Sequence, residues 1–221
     1  LFAVESAAKN ILTLATTDWC PYTCDYQGHK HGLVGDKLEK ILSKYGITLS
    51  VISYPWSRAI DLANQGKVDG LLTASHSEAP ELHFSASPIG WYQMCFYTST
   101  SNAWRYDGTM KFGNNILAII QNYGYGEPLD SYIKNKPDAL LSITGANTTK
   151  RLIELLLKDR ANIIIEDSAV LDWFSAKQSI NTENIKKSGC LLKQPFYLAI
   201  YPSVENNQIL KLINSELQSI E

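Results

Sequence analysis

Six short clusters hold the residues whose types could do chemistry. They are Asp18-Trp19 with Tyr22, Trp56-Ser57-Arg58, Ser75-His76-Ser77-Glu78, Tyr123-Gly124-Tyr125-Gly126, Gly145-Ala146-Asn147-Thr148 and Glu166-Asp167. Arg58 offers a planar fork that takes a carboxylate or phosphate by two parallel bonds; the competing use is a structural pair with a nearby Asp or Glu. Tyr123, Tyr125 and Gly126 precede a helix start, where free N–H groups and the helix dipole favour an anion. Gly126 would let a ligand approach the backbone. Asn147 and Thr148 offer a second helix start, equally well read as a simple N-cap. Asp167 ends its cluster with a carboxylate. Its neighbour Glu166 is expected to point elsewhere, because adjacent strand residues face opposite ways.

Trp19, Tyr22 and Tyr123 would cover an apolar ligand body, and Trp56 either stacks on a ligand or packs beneath it. Asp18 lies on the same loop as Trp19. Glu78, with Ser75 beside it, contacts a cationic group, pairs with Arg58, or is a helix-start or solvated carboxylate; all three readings stand. This is binding rather than catalytic chemistry. The chain has no P-loop, Gly-x-Ser-x-Gly or His-Glu-x-x-His motif, and its Gly-Tyr-Gly lacks the third glycine of a dinucleotide fingerprint. His29 and His31 are too few ligands for a closed zinc site and read as a solvated turn.

Each cluster follows an apolar run that predicts a strand: Ile11–Thr16, Leu49–Tyr54, Val68–Thr73, Ile116–Gln121, Ala139–Thr144 and Asn162–Asp167. Met94–Ser99 and Phe196–Tyr201 read as further strands. Helical periodicity predicts Gly35–Tyr45, Ser57–Gln65, Thr148–Lys158, Ser168–Lys177 and Asn206–Gln218, with Pro128 at the first position of another helix. Leu1–Asn10 carries no strong pattern, and Thr100–Asn115 reads as a polar crossing. Strands alternating with helices imply parallel sheets, and ligands of such sheets bind outside the carboxyl ends of the strands. The clusters therefore point to a small-molecule cleft.

With 221 residues, the chain suits one large or two small domains. Its formal net charge of −2, with both signs mixed along the sequence, argues against a nucleic-acid partner. Apolar runs fall far short of the roughly 20 residues that span a bilayer. No basic-then-apolar segment opens the sequence, as expected of a mature chain. Cys20 and Cys24 are too far apart for a Cys-x-x-Cys redox motif. In an oxidising compartment they would form a local disulfide that stiffens the loop of Asp18, Trp19 and Tyr22, worth roughly 2 kcal/mol. The sequence leaves open whether Cys95 and Cys190 pair.

Several stretches together resemble a known family. Thr17-Asp18-Trp19-Cys20-Pro21-Tyr22, Gly32–Ile47, Pro55-Trp56-Ser57-Arg58-Ala59, Gly66-Lys67-Val68-Asp69-Gly70 and Phe84-Ser85 are similar, in order and spacing, to the first lobe of bacterial extracellular solute-binding proteins of family 3. Tyr123-Gly124-Tyr125-Gly126 and Ile163-Ile164-Ile165-Glu166-Asp167 resemble the second lobe. These are the type II periplasmic binding proteins of polar amino acid ABC importers. The resemblance implies an α/β fold of two lobes, each a mostly parallel sheet flanked by helices, joined by two hinge strands. Lobe 1 would be residues 1–98 plus 199–221, and lobe 2 residues 99–198.

It further implies a periplasmic, non-catalytic monomer without cofactor, which traps a small polar, amino-acid-like solute by hinge closure. The partner is then an importer's membrane permease. Alternatively the chain is the sensing domain of a receptor such as a histidine kinase or cyclic-dinucleotide synthase, coupled to the receptor's own membrane segment; a small dehydratase or lyase is a third use of the fold. The family carries a Thr-x-x-Arg motif whose Arg clamps the ligand α-carboxylate. Here the stretch reads Ser75-His76-Ser77-Glu78, so Glu78 stands in the place of that Arg. Asp167 matches the residue that holds the ligand's amino group.

Overall fold

The structure is a computed structural model that describes residues 9–24, 28, 30–136, 140–177 and 182–219. Most of the predicted lead-in, His29 of the His-x-His pair and the first residue of the run Ala139–Thr144 lie outside these residues. Two mixed sheets, flanked by helices, form the molecule.

The first sheet is built around β1 (Ile11–Thr16), β2 (Thr48–Ser53) and β3 (Gly70–Ala74), which run parallel. Helices α1 (Gly32–Ser43) and α2 (Trp56–Asn64) connect them. β3 is buried along its whole length, as a parallel strand covered on both faces must be. The short strands β4 (His83–Phe84) and β5 (Gly90–Tyr92) follow. The second sheet holds β6 (Met94–Ser99), β7 (Leu117–Ile120), β8 (Leu140–Ile143), β9 (Ile163–Asp167) and β10 (Ile185–Cys190), in the order β10-β6-β9-β7-β8. Its helices are α3 (Leu129–Asn135), α4 (Thr148–Leu157) and α5 (Ser168–Lys177).

The chain then returns as β11 (Gln194–Ile200), which pairs antiparallel with β3, β4 and β5 in the first sheet. The terminal helix α6 (Val204–Gln218) packs on α1 and β11. Ser203 caps it by accepting the Asn206 N–H at 3.1 Å, and Glu216 bonds to Lys44 and Tyr45 beyond α1.

The strands expected to be parallel are so in each sheet, β1-β2-β3 and β7-β8-β9. The others, β4, β5, β6, β10 and β11, run antiparallel to their neighbours. The chain changes sheet between Tyr92 and Met94, and again between Cys190 and Gln194. These positions lie a few residues before the expected boundaries at 98 and 198, because Met94–Ser99 already pairs with β9 and Gln194–Ile200 already pairs with β3. Gln93 sits in the first crossing and ties it to the second, donating from its side chain to the Leu191 carbonyl at 3.2 Å. Cys95 and Cys190 are opposite each other on β6 and β10 and form a disulfide beside the two crossings.

One apolar core runs continuously from Leu12, Leu38 and Leu72 under the first sheet to Phe96, Leu117 and Ile165 in the second. Trp19, Tyr92, Met94 and Phe196 lie in the same cluster. Gly70 marks the tightest backbone approach: a Cβ there would lie 2.0 Å from the Ala199 carbonyl oxygen of the adjacent strand. Gly70→Ala is expected to push β11 off β3 and cost about 1–3 kcal/mol, the range for overpacking a tight interior. Urea unfolding measures this, and an unchanged midpoint would show that the β3–β11 contact is softer than described.

Candidate functional site

The carboxyl ends of β1, β3, β7 and β9 meet between the two sheets, as the strand-end rule requires. A narrow cavity of ≈ 40 Å³ lies there, room for a few water molecules. Trp19, Trp56, Tyr92, Tyr123 and Phe196 supply aromatic walls, and Thr17, Thr73, Ser75, Glu78 and Gly124 supply polar groups. A wider recess of ≈ 480 Å³ adjoins it, lined by Ser77, Asn122, Asp130 and Lys134 among others. Glu78, Tyr123 and Gly124 line both and form the wall between them.

Glu78 is the most heavily bonded group of the site. Its Oε1 accepts the Trp56 indole N–H and the Gly124 backbone N–H, each at 2.8 Å. Its Oε2 accepts the Ser75 backbone N–H at 2.6 Å and the Ser75 hydroxyl at 2.9 Å. Trp56 and Ser75 belong to the first sheet's side and Gly124 to the second's, so this carboxylate bridges the cleft. Burial pushes the Glu78 carboxyl above its usual range, and the four donors pull the other way. Gly124 permits the bridge: a Cβ there would lie 2.4 Å from the Ser75 hydroxyl and 3.1 Å from Glu78 carbons.

Other contacts close the same gap. The Tyr92 hydroxyl donates to the Gly124 carbonyl at 2.8 Å, and Asn122 donates to the Ser57 hydroxyl at 3.0 Å. The Trp19 indole donates to Glu166 Oε1 at 3.3 Å, while Thr149 on α4 donates to Oε2 at 2.7 Å. Burial pushes the Glu166 carboxyl up to about 7. The Tyr22 hydroxyl points at Asp167; burial first, then the charge of Asp167, pushes that phenol well above its ordinary range.

The Cys20–Cys24 disulfide forms and closes the loop that carries Trp19 and Tyr22. Trp19 and Thr23 exchange backbone bonds at 3.0 and 3.1 Å. The first N–H groups of α1, at Leu33 and Val34, donate to the Pro21 and Tyr22 carbonyls. The loop is thereby held from both sides. Tyr22 packs on Trp19 with ring centres 4.6 Å apart and on Phe196 at 5.4 Å.

Trp19, Trp56, Ser75, Glu78 and Tyr123 are thus brought together at the cavity, with Tyr22 and Asp167 beside it. The remaining expected residues are not. Arg58 is exposed and does not line the cavity; it lies two positions after Trp56 on α2, about 200° around the helix from the residue that faces inward. Asp18 is exposed and accepts a bond from Ser53 at 2.8 Å. Tyr125 is a core residue, its hydroxyl bonded to both the N–H and the carbonyl of Ile120.

The N–H groups of Tyr125 and Gly126 are taken by the Asp130 carboxylate at 2.9 and 3.0 Å, so this helix start does not offer them to a ligand anion. Asn147 is exposed, in the left-handed region at φ 53°, and makes no side-chain cap bond. Asp167 caps α5 by accepting the Ala169 and Val170 N–H groups, and it also accepts the Gln93 N–H at 2.7 Å. Glu166 does not point away from the site, since it reaches Trp19 across the cleft.

Sequence reasoning missed Tyr92, Phe196 and the role of Gly124. Tyr92 sits on the three-residue strand β5, too short for a periodic signal, and Phe196 opened an expected strand without being assigned to the site. Gly124 stood in a quoted cluster whose weight was placed on Gly126.

The fold is that of two-lobe periplasmic binding proteins. The arginine-bound, truncated arginine-binding protein of T. maritima matches with a TM-score of 0.76 at 18% identity, covering 96% of this chain and 97% of that one. An ancestral arginine-binding protein bound to arginine matches at 0.75 and 17%, covering 97% and 93%. A histidine kinase sensor domain with similarity to periplasmic binding proteins matches at 0.78 and 14%, covering 96% and 90%. No protein-family model and no curated protein sequence matches the chain.

The raised Glu166 carboxyl generates a pH dependence. The folded chain keeps a proton that the unfolded chain releases from about 4.5 upward, so stability falls as pH rises from about 4.5 to about 7. The effect is on the order of a few kcal/mol. Glu166→Gln is expected to flatten the fall in thermal midpoint across that window relative to the native chain. An unaltered slope would place Glu166 in contact with water.

Proposed function

We propose that this chain is a non-catalytic, extracytoplasmic binding module that captures a small polar solute between its two lobes. The observation that supports this most is the aromatic and polar cavity at the facing strand ends, closed by hydrogen bonds from both sheets. Bonds of this kind can break and re-form as lobes hinge about two crossings. The present cavity is smaller than the several hundred Å³ usual for a small-molecule site. Entry therefore requires the lobes to part, and capture requires them to close again on the solute. Disulfides at Cys20–Cys24 and Cys95–Cys190 support an oxidising compartment such as the periplasm.

Two outputs fit this module. In an importer the closed form docks on an ABC-transporter permease; the arginine-binding proteins of this fold favour that reading. In a receptor the closure is passed to the receptor's own membrane segment, and the match to a histidine kinase sensor domain supports it. A similar structure described as an amino-acid-binding precursor of cyclohexadienyl dehydratase leaves room for catalysis on this fold. The cavity is read here as a binding site because its carboxylates are engaged by donors of the protein itself.

A thermal-shift screen of amino acids, amines, organic acids and sugars tests the proposal, with native mass spectrometry of any solute that co-purifies. A true ligand at a hundredfold excess over Kd adds about 2.7 kcal/mol, or about 5–10 °C for a chain of this size. Trp19→Leu is expected to remove most of that rise. No shift with any class, together with no retained solute, would overturn the binding-module reading.

A further inference from the structure

Three backbone and indole N–H groups converge on one point in the cleft: Ser75 and Trp56 from one side, Gly124 from the other. Such a niche suits a carboxylate, and the protein fills it with Glu78. Every partner of Glu78 is an N–H or hydroxyl group able to donate, as an ionised carboxylate requires. Among the described residues, none of the side chains lining the cavity is Lys, Arg or His. Glu166 and Asp167, both buried, add carboxyl groups behind Trp19 and Tyr22.

The Tyr123 ring lines the cavity, and its buried hydroxyl lies within reach of the Thr17 and Thr148 hydroxyls. The walls are also π-faces: Trp56 and Tyr123 stand edge-on at 6.4 Å, and Trp19, Tyr92 and Phe196 form a second group with ring centres 5.6–6.3 Å apart. Aromatic rings beside the Glu78 carboxylate, in a cavity whose own lining holds no cation, suit a cationic group; Lys134 lines only the adjoining recess.

We infer that the site takes a small organic cation that carries an amine or guanidine and no carboxylate, because Glu78 already occupies the carboxylate niche between Ser75, Trp56 and Gly124. This rests on the reading of the cleft as a binding site and narrows its ligand class. A free amino acid would have to displace Glu78 and leave that carboxylate buried without its donors. An amine meets no such conflict. When the lobes part, the Glu78–Gly124 bond breaks, and the cavity and the adjoining recess become one space.

Isothermal titration calorimetry with matched pairs tests this: agmatine against arginine, and cadaverine against lysine. At least one amine is expected to bind the native chain tenfold or more tightly than its amino acid. Glu78→Ala empties the niche and should bring the two within a factor of about three, or reverse their order, by admitting the amino acid. Glu78→Gln keeps the shape, guards against loss of folding in the alanine variant, and should weaken amine binding at least tenfold by removing the charge. An amino acid that binds the native chain as tightly as its amine overturns the inference and leaves the cleft reading intact. So does a thermal shift with organic acids, sugars or amino acids but with no amine. Loss of every class of shift overturns the cleft reading itself.

Discussion

A buried carboxylate that must find its donors on two different sheets is the constraint around which this molecule is arranged. Removing Glu78 from water is unfavourable unless its oxygens are bonded, and hydrogen bonds to charged groups contribute about 1.5–3 kcal/mol each. Ser75 and Trp56 supply three donors from one side, and Gly124 supplies the fourth from the other. The full set exists only when the lobes are together. One side chain thus ties the two sides together, and a Cβ on the residue facing it across the gap would crowd the Ser75 hydroxyl.

The rest of the cleft supports that bridge. Strand ends of both sheets deliver the groups, and the tied Cys20–Cys24 loop holds Trp19 and Tyr22 against Phe196. Glu166 is bonded from both sides by Trp19 and Thr149, a second buried carboxyl shared across the gap. The hinge carries its own restraints: Gln93 links the two crossings, and the Cys95–Cys190 disulfide ties the strands that leave them. The contacts between the two sheets are partly polar and partly apolar, since one core cluster reaches into both.

Much of this was legible in the sequence where local pattern decides structure. Ile11–Thr16, Met94–Ser99 and Ser168–Lys177 emerged with the expected limits, because apolar runs and helical periodicity report burial directly. Ile185–Cys190 did not announce itself: its residues IKKSGC alternate weakly, and it becomes a strand by pairing with β6. The site was partly legible. Trp19, Trp56 and Glu78 were found by position after strands. Arg58 was misdirected by helix phase, which turns it away from the residue two places before it. Gly126 was expected to offer its N–H, and Asp130, four residues on, takes it. The contacts that bridge the lobes are long-range, such as Glu78 with Gly124, and no local pattern encodes them.

Amide hydrogen exchange at Gly124, followed by NMR in the ligand-free chain, tests the central claim most directly. If Glu78 holds this N–H across the cleft, Gly124 exchanges slowly in the native protein and becomes fast in Glu78→Ala while strand amides such as Ile164 stay protected. Rapid exchange at Gly124 in the native protein, with the β9 amides protected, would contradict the account.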